Sequence, residues 1–287
     1  MVTMNEFPDD AELRSRLLAD GLVLLRGAQM TMDRFESILS SQCRAFHQPA
    51  TRADEQQASH DGYTSRVGRD GRLLGHAEGY YRPCLPPPDV CLFWCEQAPV
   101  VEGGETTWLD AAALFDALPR DLSARLADEG VVYEAMWSPE RWMAEFPVAN
   151  MAELRDLLDR DARCRYGQDE QGNLLLFFKT MPVLLGQDGV RRFINGMLAH
   201  LPEITHQRYK NTQVYCKVSN RMHWGRGGLI SNADVNRMLD AHDAVLNKHR
   251  WVDGDLLILD NHRLLHGREM MPVPGERVIY SRFGFWS

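Results

Sequence analysis

The sequence predicts an α+β fold in which β-sheets pack face to face and helices cover the outside. Short apolar runs rich in β-branched and aromatic residues recur along the chain, and segments of helical periodicity lie between them. No internal repeat, low-complexity tract or long linker divides the 287 residues. We therefore expect one domain over residues 1–287, large enough to bury roughly three quarters of the surface that the unfolded chain would expose.

The N-terminal elements are predicted from leucine spacing and from a terminating glycine. Leucines recur at helical intervals before Gly21, which ends the helix, and the apolar run 22–25 follows as a strand. A second helix is predicted over about 32–46, with Phe35 on its apolar face. The segment 62–89 is rich in Gly, Arg, Tyr and Pro, so we expect strand ends and loops around a site there.

The rest of the chain alternates strand and helix candidates. Helices are predicted over 110–118 with Asp110 as the cap, over 119–128, and from 232 onward with Ser231 as the cap. The strand candidates are residues 90–97, 105–109, 130–137, 173–180, 255–259 and 277–285.

Charge and hydropathy exclude two classes of function. The net charge is −8, from 32 Lys and Arg against 40 Asp and Glu, and no basic run is present, so nucleic-acid binding is not expected. Residues 1–10 are acidic and lack the apolar core of a secretory signal. No apolar stretch approaches the roughly 18 residues that span a bilayer, and a cytoplasmic protein is expected.

The six cysteines do not follow the pattern of a disulfide scaffold. None forms a Cys-x-x-Cys pair, and they are scattered along the chain. Cys91 and Cys95 lie in the apolar run 90–95, where we expect ordinary buried thiols.

A histidine and a carboxylate stand two residues apart at His76 and Glu78. On an extended segment such residues point to the same side and can occupy adjacent positions on a divalent metal. The chain has ten histidines, and 40 of its 287 residues are Asp or Glu, so about one histidine would have an acidic residue two positions later by chance. The pair therefore needs support from elsewhere in the sequence.

Two downstream features provide that support. His266 follows the buried strand candidate 255–259 and precedes a glycine, a position where a strand can meet a cavity, although a core histidine would also fit. Arg277 lies eleven residues further on, among apolar neighbours. A guanidinium in such surroundings is costly unless it meets an anion, and its planar fork suits a carboxylate.

The order of these motifs resembles a known family. His76-Ala77-Glu78, then Gly103-Gly104-Glu105-Thr106, then Asp260-Asn261 with His266-Gly267, and finally Arg277, are similar in order and spacing to the taurine dioxygenase/TfdA-like family of the clavaminate synthase-like superfamily. The resemblance covers essentially the whole chain. It implies a double-stranded β-helix (jelly-roll) core of two packed sheets with surrounding helices.

The resemblance also implies a site and a chemistry. His76, Glu78 and His266 match the catalytic metal ligands that hold Fe(II), which leaves positions for the co-substrate 2-oxoglutarate and for O2. Thr106 and Arg277 match the groups that bind the far carboxylate of 2-oxoglutarate. Many relatives have aspartate in place of Glu78, and some have glutamate. Because the carboxylate is present, a halogenating reaction is not expected.

His262 and the candidate substrate residues leave alternatives open. His262 stands where relatives often have arginine, and we interpret it as a neighbour of the site rather than a ligand. Tyr80 and Arg82 follow the metal pair, and Arg66, Arg69 and Arg72 precede it, so one of these could bind substrate or all could be solvated. Arg282 could contact substrate or be the 2-oxoglutarate anchor in place of Arg277, while Ser281 shares the face of Arg277. His223 lies in the loop 220–228, which is either a lid or an ordinary surface loop.

The function expected from this pattern is oxidation of a small molecule. Hydroxylation or desaturation of an amino-acid- or peptide-derived intermediate of specialised metabolism, free or tethered to a carrier protein, would release succinate and CO2. A zinc-type metallohydrolase with the same ligands, or a member that binds a metabolite without turnover, is the alternative. The sequence does not determine the oligomeric state.

Overall fold

Four β-sheets and their surrounding helices make up the described part of the chain. The computed structural model describes residues 2–4, 7–27, 29–47, 56–57, 62–67, 71–201, 208–209, 221–271 and 277–287. The α-helices are α1 (Asp10–Asp20), α2 (Met32–Ser37), α3 (Ala111–Ala117), α4 (Arg120–Glu129), α5 (Pro139–Glu145), α6 (Met151–Asp159) and α7 (Asn232–Ala244).

The strands are short, and most neighbours in the sheets are antiparallel. They are β1 (Val2–Met4), β2 (Leu22–Leu25), β3 (Cys43–Phe46), β4 (Gln56–Gln57), β5 (Ser65–Arg66), β6 (Leu73–His76), β7 (Val90–Gln97), β8 (Thr106–Asp110), β9 (Val131–Trp137), β10 (Cys164–Gln168), β11 (Leu174–Thr180), β12 (Val183–Leu185), β13 (Arg191–Phe193), β14 (Arg221–Trp224), β15 (Asn247–His249), β16 (Leu256–Asp260), β17 (Leu264–Arg268) and β18 (Val278–Trp286). Only the β1–β2 pair is parallel among the described strand pairs.

The large sheet has eight strands in the order β1-β2-β16-β7-β18-β5-β4, with β3 also paired to β18. Its central strands are buried on both faces. Val23 and Ile258 pack against α1 and α2 in one cluster, while Leu24 and Leu257 belong to another on the opposite face. This two-sided burial explains why the sequence of these strands is continuously apolar rather than alternating.

A second sheet, ordered β15-β8-β17-β6, faces the large one. The cluster between the two sheets contains Leu257 from the large sheet and Leu264 and Trp108 from the second sheet. The opposite face of the second sheet carries Leu109 and Leu265, which pack in a cluster with α3, α4 and α7. The expectation of packed sheets with outer helices therefore agrees with the structure.

The third sheet, ordered β10-β11-β9-β14, packs beside the second, and β12 and β13 form a separate pair. Tyr133 and Trp224 of this sheet join the same cluster as Leu265. Further along the same face, Ala135 and Leu176 pack with Trp142 of α5 and Leu154 of α6. The sequence patterns predicted β9 and β11 but not β10, β14, α5 or α6.

The predicted helix over 32–46 is wrong in its second half. The helix ends at Ser37, Ile38 is extended, and residues 43–46 form β3, which pairs with β18. Leu39 adopts a left-handed φ of 57°, which no regular helix tolerates. Its side chain and that of Phe35 are nevertheless buried in the cluster under the large sheet. The spacing of the apolar residues thus predicted correctly which side chains are buried, but it predicted the wrong backbone conformation after Ser37.

Local signals placed other boundaries correctly. Gly21 ends α1 with a φ of 76°, and its N–H donates to the carbonyl of Leu17. Asp110 caps α3 by accepting hydrogen bonds from the N–H groups of Ala112 and Ala113 at 2.8 and 3.1 Å. Ser231 caps α7 through the N–H of Asp234. Within the described ranges, no helix has the length and apolar character needed to cross a bilayer.

Candidate metal centre

Two neighbouring strands of the second sheet bring the two predicted histidine ligands together. His76 is the last residue of β6, and it stands opposite His266 of β17 in the antiparallel register. Opposed residues share a face of the sheet, and the two ring centroids are 4.5 Å apart. Leu264 lies in the cluster between the large sheet and the second sheet. His266 is two residues further along the same strand, so both imidazoles face this space.

Glu78 reaches the same point from the turn that follows β6. Ala77, between His76 and Glu78, is fully buried in the cluster that contains Leu109 and Leu265. Its two neighbours therefore point to the opposite side, toward the space between the sheets. Oε2 of Glu78 lies 3.5 Å from Nε2 of His76. One ligand atom from each of His76, Glu78 and His266 lies within 4.8 Å of the others, and all three residues are buried.

These donors fit a divalent transition metal. Two imidazoles and one carboxylate on one side of a point form the set that leaves three open positions on a six-coordinate ion. Nδ1 of His76 is 3.1 Å from the carbonyl of Leu74, a contact that assigns the proton to Nδ1 and leaves Nε2 for the metal. Burial of all three side chains keeps the site dry, which strengthens its electrostatic interactions.

Tyr81 fixes the carboxylate of Glu78. Its hydroxyl donates to Oε1 at 2.5 Å, while Oε2 remains on the side of His76. Tyr81 is itself buried, and its ring lies 4.5 Å from that of His200. Partners of this kind orient a metal ligand and tune its basicity.

Asn261 fixes the backbone of Glu78. Its Oδ1 accepts from the N–H of Glu78 at 2.8 Å, and its Nδ2 donates to the carbonyls of Glu78 and Pro88 at 2.9 and 2.7 Å. The side chain is fully buried, so these bonds satisfy it where water cannot. Sequence reasoning assigned no role to Asn261 or Tyr81. The signal for Asn261 was its place in the Asp-Asn pair before His266.

The large sheet provides an aromatic wall opposite the two histidines. The ring of Phe93 on β7 lies 5.1 Å from that of His266, and the ring of Phe283 on β18 lies 6.5 Å from it. Both belong to the cluster between the sheets. The site therefore opens between two layers whose inner surfaces are apolar.

Thr106 and Arg277 are linked through the segment 104–106, which leads into β8. Thr106 begins β8 two residues before Trp108, which stands opposite His266, so Thr106 shares the face of the histidines. The indole of Trp251 donates to its hydroxyl at 3.2 Å. Arg277 precedes β18 and donates to the carbonyl of Gly104 at 2.6 Å. Both side chains are buried. The guanidinium of Arg277 is bonded to Gly104, two residues before the hydroxyl of Thr106.

Tyr80 and Arg82 line a cavity of about 510 Å³, whose lining also includes Gly79, the residue that follows Glu78 in the sequence. The hydroxyl of Tyr80 is 2.5 Å from Nδ1 of His262, whose Nε2 is 2.6 Å from the carboxylate of Asp89. Burial raises the pKa of Tyr80, so the phenol stays protonated and its hydroxyl donates a hydrogen bond to Nδ1 of His262. Because both nitrogens of His262 are engaged, neither faces a metal.

The other substrate candidates lie in different surroundings. Arg82 pairs with Glu145 of α5 at 3.4 Å. The guanidinium of Arg282 stacks 3.9 Å over the ring of Phe46 and donates to Thr64 at 3.3 Å. The register shift between Val278 and Ile279 leaves the additional residue, Glu96, on β7, so β18 keeps its alternation. Ser281 therefore shares the face of Phe283 between the sheets, and Arg282 lies on the opposite face with Tyr280.

His223 corrects the expectation of a lid. Residues 221–224 form β14, which is hydrogen-bonded to β9, so this part of the predicted loop is a strand and only residues 225–228 form a turn. Nε2 of His223 is 2.5 Å from Glu134, on the face opposite the buried Met222 and Trp224.

Four other residues that the sequence analysis placed near the site are Arg66, Arg69, Arg72 and Asn220. Arg66 belongs to β5 and Arg72 pairs with Glu269. Arg69 and Asn220 lie outside the described residues.

Comparison with known structures shows a shared fold. A taurine dioxygenase from Burkholderia xenovorans has a TM-score of 0.59 and 13% identity, over 100% of this chain and 84% of that one. PvcB from Pseudomonas aeruginosa, described as an Fe, alpha-ketoglutarate dependent oxygenase from an isonitrile synthetic pathway, has a TM-score of 0.55 and 16% identity, over 98% and 81%. AAD-2, solved with Mn(II) and N-oxalylglycine, has a TM-score of 0.53 and 15% identity, over 99% and 90%.

Sequence comparison gives the family. No curated protein sequence matches the chain. The profile described as "Taurine catabolism dioxygenase TauD, TfdA family" matches residues 3–282, which is nearly the entire length. The protein belongs to the TauD/TfdA dioxygenase family.

Proposed function

We propose that the protein is an Fe(II)- and 2-oxoglutarate-dependent dioxygenase that oxidises a small molecule and releases succinate and CO2. The observation that carries this proposal is the convergence of His76, Glu78 and His266 within 4.8 Å in the space between two sheets. Membership of the TauD/TfdA family supports it. Structures of similar fold, described as an Fe, alpha-ketoglutarate dependent oxygenase and as a complex with Mn(II) and N-oxalylglycine, support the same cofactors.

The two facing sheets form the double-stranded β-helix core in this proposal. The large sheet and the β15-β8-β17-β6 sheet share a continuous apolar cluster, as the two sheets of a jelly roll do. Such a core holds His76 and His266 on rigid strands, which fixes their positions relative to each other.

The residues of this chain have separate tasks in the reaction. The bound iron, with 2-oxoglutarate and O2, supplies the oxidising chemistry, while the protein supplies orientation and a dry site. Nε2 of His76 and Oε2 of Glu78 would hold the ion together with His266. Thr106 and Arg277 bind the far carboxylate of 2-oxoglutarate through a hydroxyl and a guanidinium. The rings of Phe93 and Phe283 exclude water from the space above His266.

The substrate enters, in this proposal, from the cavity lined by Tyr80 and Arg82. Its volume of about 510 Å³ suits a small molecule or the end of a tethered chain. An amino-acid- or peptide-derived intermediate of specialised metabolism, free or bound to a carrier protein, fits a cavity whose lining combines a phenol, three arginines, one aspartate and apolar side chains. The isonitrile pathway of PvcB, a relative in fold, is compatible with this class.

The test separates iron-dependent oxidation from zinc-dependent hydrolysis and from binding alone. Anaerobic addition of Fe(II) and 2-oxoglutarate is expected to give a visible charge-transfer band, and admission of O2 is expected to give succinate. His76→Ala and Glu78→Ala should abolish both signals while the circular dichroism spectrum stays unchanged. A protein that shows neither signal with iron but hydrolyses esters or amides with zinc would overturn the proposal.

A further inference from the structure

Two cysteines and an aspartate form a second cluster away from the triad. The sulfur atoms of Cys84 and Cys164 and a carboxylate oxygen of Asp161 lie within 4.8 Å of one another. Cys84 belongs to the loop that follows Glu78, whereas Cys164 begins β10 of the third sheet. The cluster therefore joins two segments that are distant in the sequence.

Hydrogen bonds hold the Cys84 loop against the third sheet. The N–H of Cys84 donates to Oδ2 of Asp161 at 3.0 Å, and its thiol lies 3.5 Å from the carbonyl of Leu157. Cys84 and Cys164 both pack on the cluster formed by the third sheet with α5 and α6. The two sulfurs thus face each other in a fixed environment.

Asp161 is poorly suited to serve as a metal ligand. Arg163 binds its two carboxylate oxygens at 2.8 and 2.6 Å. A metal ion would have to displace this guanidinium or accept its positive charge as a neighbour, and both are unfavourable. The chemistry left to the cluster is that of the two thiols.

The two thiols have different acidities. A hydrogen bond from the Cys164 thiol lowers the pKa of Cys84, against desolvation and the charge of Asp161, and the same contact raises the pKa of Cys164. Burial raises the pKa of Cys43 and that of Cys95 to about 12, and it also raises that of Cys91. Among these five thiols, Cys84 is the one whose pKa is lowered, and a lowered pKa favours the thiolate, which is the nucleophile.

Cys84 is also accessible to a small oxidant. It lines the cavity of about 510 Å³ that opens beside Tyr80, while Cys43, Cys91 and Cys95 are buried. Cys164 is half-buried. A reactive thiol at a cavity wall with a second thiol beside it is the arrangement of a peroxide-sensitive pair.

We propose that Cys84 and Cys164 are a modification site at which hydrogen peroxide forms a disulfide. The Cys84 thiolate attacks one peroxide oxygen, the O–O bond breaks, and Cys84 becomes a sulfenic acid as hydroxide takes up a proton to give water. Cys164 then attacks the sulfur of Cys84, its proton joins the departing hydroxyl as a second water, and the S–S bond forms. Two thiols lose two electrons and two protons, and one peroxide is reduced to two waters.

This modification goes beyond the proposed dioxygenase function and has a direct structural consequence. The bond would link the loop after Glu78 to the first strand of the third sheet. The sulfurs, which lie within 4.8 Å of each other in the reduced protein, would approach to about 2.05 Å in the disulfide.

The experiment follows thiols rather than catalysis. The reduced full-length protein is treated with one equivalent of hydrogen peroxide, alkylated, digested and analysed by mass spectrometry. We expect the loss of two of the six thiols and a peptide pair cross-linked through Cys84 and Cys164. Cys43→Ser is the matched control, and it should form the same cross-link.

Single variants separate the two roles. Cys164→Ser should stop at a Cys84 sulfenic acid that dimedone traps, whereas Cys84→Ser should leave Cys164 reduced. Circular dichroism confirms that each variant is folded. The inference is wrong if peroxide oxidises Cys43, Cys91 or Cys95 before Cys84, or if wild-type Cys84 proceeds to sulfinic acid without a cross-link. It is equally wrong if added Zn²⁺ binds stoichiometrically and protects both thiols.

Discussion

At the scale of single residues, Glu78 is held through both its side chain and its backbone. Tyr81 donates to its carboxylate, and Asn261 binds its N–H and its carbonyl. Because Glu78 lies in a turn rather than in a strand, the sheet does not position it as it positions His76 and His266. These two neutral residues take over that task.

Tyr81→Phe should therefore weaken metal binding without unfolding the protein. Loss of a hydrogen bond to a metal ligand typically costs about 10- to 100-fold in metal affinity. Titration with Fe(II) under anaerobic conditions measures the effect. Tyr133→Phe is the control, because its buried hydroxyl bonds Asn195 rather than a ligand. Equal affinities for the two variants would show that the Tyr81 hydroxyl does not support Glu78.

Arg277 and Arg282 can be distinguished by their effects on the co-substrate. Arg277→Gln should raise the Kd for 2-oxoglutarate about 10- to 100-fold, since a charged hydrogen bond contributes about 1.5–3 kcal/mol. Arg282→Gln should leave it nearly unchanged, because that guanidinium stacks on Phe46 and bonds Thr64. Isothermal titration with Mn(II)-loaded protein measures both. The reverse order of effects would make Arg282 the anchor.

At the scale of elements, the loop before β8 depends on a glycine. Gly104 has a φ of +69°, and a Cβ there would lie 2.6 Å from Sδ of Met271 and 3.6 Å from Cδ of Arg277. The loop carries the carbonyl that accepts from Arg277 and leads directly into Thr106. Its shape thus controls both residues proposed to bind 2-oxoglutarate.

Gly104→Ala should lower both stability and affinity for 2-oxoglutarate. The left-handed backbone costs roughly 1–2 kcal/mol with a side chain, and Met271 must move as well. Gly27→Ala is a matched control, with a φ of +65° and no atom within 4 Å of the added Cβ. It should lose similar stability, measured by urea unfolding, but bind 2-oxoglutarate normally. Unchanged binding in Gly104→Ala would show that the loop adapts.

At the scale of the whole molecule, the cluster between the two facing sheets holds the layers around the site. Leu257 is fully buried there, on the strand that pairs with both β2 and β7. The two histidines of the second sheet and the rings of Phe93 and Phe283 on the large sheet keep their separation only while side chains fill this cluster.

Leu257→Ala should destabilise the protein by about 2–5 kcal/mol, because it removes buried methyl groups and leaves a cavity. Leu18→Ala on α1 is the control, since that side chain is 52% exposed. It should change stability by less than about 0.5 kcal/mol. Equal urea midpoints for the two variants would contradict the described packing.

The sequence by itself determined the features that depend on neighbouring residues and on motif order. Apolar runs located β7, β9, β11, β16 and β18, and caps located α3 and α7, because backbone conformation there follows from nearby side chains. The order and spacing of the motifs, through the resemblance to the family, predicted that His76, Glu78 and His266 form one ligand set, and these three side chains lie together in the structure.

Only the tertiary structure decided what depends on contacts between distant segments. It ended α2 at Ser37, because residues 43–46 bond β18 instead, and it made a strand of residues 221–224. It also gave Asn261 its bonds to Glu78 and brought Cys84 beside Cys164. Such contacts leave no periodic or local signal, because each partner gains its role only when the other is folded against it.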